Sequence, residues 1–237
     1  MWKKNRIASL LLSLYFIISI VEIVAEFFED KTLLWLSKPL LIPILIAFYI
    51  KKSKRINNVF IAALFFSWVA NIIFIEKKFN FIIAGSIFFL IYKIIIIYLV
   101  NSKVKFPNIY PALIGALPFV FLYVVISFFT FPIMGKNIYI FLIHGFFSVV
   151  LGAISLGNYF LLPNKPNFNL FVSSMLFAIT QFLFVLNYYS ENTGLYHSLS
   201  MILYVFGQLL LVKFMFLTEK YKSKYEIVNY LKEPTNS

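Results

Sequence analysis

Eight apolar runs, separated by short polar breaks, fill most of the chain: Ile7 to Phe28, Leu33 to Ile50, Val59 to Ile75, Phe79 to Val100, Ile109 to Phe131, Ile138 to Leu162, Phe168 to Tyr188 and Tyr196 to Leu217. None shows the strict alternation of a half-buried strand. A helix needs roughly 20 mostly apolar residues to cross about 30 Å of hydrocarbon, and every run has that length. Backbone groups in hydrocarbon must be satisfied within the segment, so each run is expected as an α-helix. The fold expected is all-α: an eight-helix transmembrane bundle over 1–218, with a short tail over 219–237.

The polar breaks give direction. Lys3, Lys4, Arg6, Lys51, Lys52, Lys54, Arg55, Lys103, Lys105, Lys165, Lys220, Lys222, Lys224 and Lys232 fall on one side of the spans. The opposite loops hold only Lys31, Lys77, Lys78 and Lys136. Because cytoplasmic loops carry the excess of Lys and Arg, both termini are expected in the cytoplasm. The first span follows three positive charges, as in a signal peptide. Its length and the lack of a small-residue cleavage site predict an uncleaved anchor.

Composition narrows the class. At 62% hydrophobic and 13% charged residues, the chain lacks the polar surface that a separate soluble domain needs. The net charge of +12 comes from short juxtamembrane clusters. Such clusters fit anionic lipid headgroups and not nucleic acid. With no cysteine, thiolate catalysis and thiolate metal sites are excluded. The abundance of Ile, Phe, Lys and Asn suits a bacterial cytoplasmic membrane. Most of the 30 Phe and 15 Tyr read as lipid-facing surface and packing. Pro39, Pro43, Pro111 and Pro118 fall inside spans, where they are expected to kink the helices and free some carbonyls.

Candidate chemistry lies in the polar residues that hydrocarbon does not favour, because such residues usually face the bundle interior and mark function. The set is Glu22, Glu26, Lys38, Lys93, His144 and Lys213, with the amides Asn71, Gln181 and Gln208. Counting about 1.5 Å of rise per residue from the outer end of each span places Glu22, Lys38, Asn71, His144 and Gln181 roughly 6–9 Å deep. Five helices thus supply polar groups at one level, which predicts a shared pocket in the outer half of the membrane. Glu22 and Glu26 are four apart and share a helix face. Two such carboxylates in low dielectric do not both ionise. Glu22 is therefore a candidate neutral acid, or alternatively the partner of Lys38. Glu26 is expected to be solvated and Lys213 to snorkel, while the deeper Lys93 either snorkels or serves a site. A lone His144 without further ligands at metal spacing predicts no metal.

Three motifs, Lys38-Pro39-Leu40, Gly85-x-x-Phe88-Phe89-Leu90 and Tyr204-x-x-Gly207-Gln208, together resemble the YhhN family of membrane lysoplasmalogenases. The resemblance extends to the eight-span layout. It implies cleavage of the vinyl-ether bond of a lysoplasmalogen, giving a fatty aldehyde and a glycerophospho-alcohol, with no cofactor. The family pattern has a Gly-Asp pair on span 3, a Ser-Asp pair on span 7 and a histidine on span 4. This chain reads Ala70-Asn71, Thr180-Gln181 and Tyr92 at those places. Amides orient a substrate but do not exchange protons near neutral pH.

Three readings follow. In the first, Glu22, Lys38 and His144 replace the family's acid–base groups, and Asn71, Tyr92, Gln181, Tyr204 and Gln208 hold a lysophospholipid. In the second, the bundle binds membrane lipid without catalysis. In the third, it passes a small solute. The sequence leaves the oligomeric state open.

Overall fold

The computed structural model describes residues 2–104, 106–134, 138–189 and 193–230; side chains are described over 6–104, 106–128, 139–186 and 194–219. Eight α-helices account for nearly all of them: α1 (Trp2–Phe27), α2 (Lys31–Lys52), α3 (Asn58–Ile73), α4 (Phe79–Val104), α5 (Ile109–Met134), α6 (Ile138–Leu161), α7 (Lys165–Tyr189) and α8 (Thr193–Tyr230). Seven are long and apolar enough to cross a membrane. The chain is therefore a multi-pass helical membrane protein. The exception, α3, is apolar but has only 16 residues, roughly 24 Å at 1.5 Å per residue. It stops short of the expected span because Phe74 and Ile75 turn the chain toward α4. Lys105, Lys136 and the tail beyond Tyr230 lie outside the described residues, as do the side chains of Tyr188 and Tyr189.

Seven helices close into a ring. In order, α1, α2, α3, α4, α6, α7 and α8 each pack on the next, and α8 packs back on α1. Helix α5 is left outside, against α6 and α7. Glycines allow its close approach, since small residues let helix backbones meet. A Cβ at Gly115 would stand 2.6 Å from the Gly157 nitrogen, and one at Gly157 would stand 2.8 Å from the Pro111 carbonyl oxygen. Prolines are accommodated in a similarly local way. Pro43 lacks the N–H that would bond the Pro39 carbonyl four residues earlier. Trp68 Nε1 from α3 donates to that oxygen instead, at 2.9 Å.

Helices α1 and α8 run antiparallel, which puts both termini at one end of the bundle. Tyr15 donates to the Val205 carbonyl at 3.0 Å, and Ser198 to the Ile23 carbonyl at 3.2 Å. The termini end is densely closed. Ser53 donates to Glu219 Oε1 at 2.7 Å, the Lys54 amide donates to Glu219 Oε2 at 3.1 Å, and Tyr49 stacks on Phe216. A continuous apolar core of Leu41, Leu45, Phe60, Leu64, Ile96, Val212 and Phe214 fills this half. The opposite half is hollow.

Candidate functional site

A cavity of about 170 Å³ opens at the end away from the termini. On that scale one water needs about 10–15 Å³, so roughly a dozen water-sized groups fit. Its polar lining comes from Glu26, Lys38, Asn71, Ser86, His144, Thr180, Gln181, His197, Ser200 and Tyr204. Lys38, Asn71, His144 and Gln181, four of the five residues placed at one depth by helical rise, therefore meet in one cavity. Glu22 does not line it.

The carboxylates exchange their expected roles. Glu26 is only 2% exposed rather than solvated, and it is Glu26, not Glu22, that pairs with Lys38, at 2.6 Å between Nζ and Oε1. Local structure explains this. Helix α1 ends in a turn with Glu29 at φ 55°, a left-handed conformation unusual for a side-chain-bearing residue. Asp30 then caps α2, its Oδ1 accepting from the Thr32 and Leu33 amides at 2.9 and 3.2 Å. The tight return sets Lys38 against Glu26. Gly194, at the start of α8, lies directly on the Phe27 carbonyl oxygen, so the chain covers the end of α1 and removes Glu26 from water. Glu22, one turn deeper, is fully buried, and neither of its carboxyl oxygens has a hydrogen-bond partner among the described residues.

The amides are already engaged. Asn71 Nδ2 donates to Tyr204 OH at 2.7 Å, and Tyr204 shares a 2.6 Å hydrogen bond with Ser67. Behind Tyr204 the network continues inward, with Gln208 Nε2 donating to Ser67 at 3.1 Å and Tyr92 donating to Gln208 Oε1 at 3.3 Å. Tyr92 and Gln208 thus brace the cavity wall and do not line the cavity. Tyr92 instead borders a second, water-sized space of about 10 Å³ beside Lys93.

Lys93 does not snorkel. It is 4% exposed, and its ammonium donates to Ser148 Oγ at 2.6 Å, Gln181 Oε1 at 3.0 Å and the His144 carbonyl at 3.1 Å. Gln181 Oε1 also accepts from Ser148 and from Tyr123 on α5. One neutral oxygen thereby receives three donors. Lys213, by contrast, is exposed. His144 Nε2 lies 3.0 Å from the Ser86 carbonyl oxygen. A carbonyl only accepts, so Nε2 carries the hydrogen and Nδ1 keeps its lone pair. No cluster of three or more metal-ligating side chains occurs among the described residues.

Sequence reasoning missed Glu26, Ser86, Ser148, Tyr123 and His197 as members of the site. Ser148 lies one helical turn from His144 and was the most readable of them. Tyr123 sits on the helix outside the ring, a position that no linear spacing reveals.

An all-helical membrane bundle with a cavity at one end, walled by a buried ion pair, two histidines and two amides, defines a polytopic membrane protein with an internal cavity. The family is specific: the YhhN family model matches residues 33–215, and the chain belongs to that family. No curated protein and no solved structure matches it.

Proposed function

We propose that this protein hydrolyses the vinyl-ether bond of a lysoplasmalogen-like lipid in a cell membrane, by its composition a bacterial cytoplasmic one. The observation that carries the proposal is the Glu26–Lys38 ion pair on the wall of a cavity that also holds His144. Hydrolysis of R–O–CH=CH–R′ consumes one water. A proton adds to the alkenyl carbon remote from oxygen, water adds to the resulting oxocarbenium carbon, and the hemiacetal collapses to R–OH and the aldehyde. Here the Lys38 ammonium supplies the proton, the Glu26 carboxylate stabilises the positive charge that develops, and His144 Nδ1 accepts a proton from water. Return of that proton to Lys38 resets the site. Purified protein should release fatty aldehyde from a lysoplasmalogen, and Glu26→Gln or His144→Ala should reduce the rate at least 100-fold. No aldehyde from any lysolipid across a broad pH range would sink the proposal.

A second reading is lipid binding without catalysis. It is favoured by Asn71 and Gln181, amides at the family's aspartate positions and both held in hydrogen bonds. It predicts co-purified lipid, and aldehyde release only after Asn71→Asp and Gln181→Asp are combined. The permease reading has least support, because the termini end is closed by the Glu219 contacts and the apolar core.

A further inference from the structure

The ring has one junction between helices that do not follow each other in the chain, apart from the closure of α8 on α1: α4 against α6, where α5 has been left outside. From Ser86 toward the termini end this junction is sealed by polar contacts, with His144 on the Ser86 carbonyl and Lys93 on the His144 carbonyl and Ser148. Toward the open end the character changes. Phe79, Ile82 and Ile83 of α4 and Ile140 and Phe141 of α6 line the cavity from both sides of the junction. The same short segments face outward, with Phe81 44%, Tyr139 68% and Ile143 47% exposed on membrane-spanning helices. This part of the junction is therefore apolar both toward the cavity and on its exposed side.

Size decides what passes through it. A cavity of about 170 Å³ takes roughly a dozen water-sized groups, and a lipid with an alkyl chain of ordinary length has more heavy atoms than that. Its polar end can be enclosed while its chain stays outside. The polar groups, Glu26, Lys38, Asn71, His144 and Gln181, stand on the cavity wall, and the seam is apolar. We infer that the outer half of the α4–α6 junction is a lateral portal, through which the alkyl chain of a single-chain lipid lies in the bilayer while its polar end occupies the cavity. The His144–Ser86 hydrogen bond forms the floor of the portal. This inference rests on the lipid-ligand reading above and specifies how that ligand is held.

The absence of cysteine makes a direct test clean. Lysophosphatidylcholine carrying a diazirine in its alkyl chain is bound to the full-length protein in nanodiscs and photolysed, with and without excess unlabelled lipid. The competed label should fall on 79–87 and 139–143. In parallel, Ile83→Cys and Ile140→Cys are combined and joined with a bifunctional maleimide. The cross-link should slow exchange of a fluorescent lysolipid at least tenfold relative to the same variant left unlinked. Competed label concentrated on another helix pair, or exchange unchanged by the cross-link, overturns the portal and leaves the lipid site standing. No competed label anywhere overturns both.

Discussion

Lys38 and Lys93 are both buried, yet among the described residues only Lys38 has a carboxylate beside it. Removing one partner of a buried ion pair strands the other and typically costs about 3–5 kcal/mol. Lys38→Met should therefore lower stability by about that much, read as thermal unfolding in detergent. Lys93→Met strands no carboxylate among the described residues and should cost less than Lys38→Met. Gln181→Glu should raise the unfolding temperature, because three donors, one of them the Lys93 ammonium, already converge on that position. A buried polar group without a partner costs about 1–3 kcal/mol, so Glu22→Leu should stabilise the fold; an unchanged or lower unfolding temperature would mean that Glu22 has a partner in the membrane. At this scale the sequence was half legible. Helical rise put Lys38, Asn71, His144 and Gln181 at one level, and the four line one cavity. It misassigned Glu26, because whether a residue near a helix end meets water depends on what covers that end, here Gly194 of a helix far along the chain.

Between elements, contacts replace what the helices themselves lose. The Pro39 carbonyl, released by Pro43, is taken by Trp68, and interhelical hydrogen bonds in membrane bundles average about 0.6 kcal/mol. Trp68→Phe should cost about that much in the native background and close to nothing after Pro43→Ala, which restores the intrahelical donor. A double-mutant cycle reads the coupling. The α5–α6 seam is less forgiving. Gly115→Leu drives a side chain into the Gly157 backbone and should detach α5, seen as faster proteolysis and a lower unfolding temperature. The helices were legible because apolar length alone specifies them. Which helix leaves the ring was not, since α5 is as apolar as its neighbours and only its glycine contacts distinguish it.

The whole molecule has one filled half and one hollow half. Glu219, Tyr49 and Phe216 tie α2 to α8 at the termini end, while the far end places Glu26, Lys38 and His144 around a cavity of about 170 Å³. Part of that polarity was legible in the sequence, because helical rise placed Lys38, Asn71, His144 and Gln181 at one level and all four line the cavity. A closed base thus lies beneath a cavity that opens the other way, an arrangement consistent with the proposed lipid substrate. The most direct measurement is aldehyde release from lysoplasmalogen by the purified native protein beside Glu26→Gln, with folding of both checked by unfolding temperature. The account predicts aldehyde from the native protein and at least a 100-fold slower rate from the folded variant. Equal rates from the two, or no aldehyde from either, would contradict it.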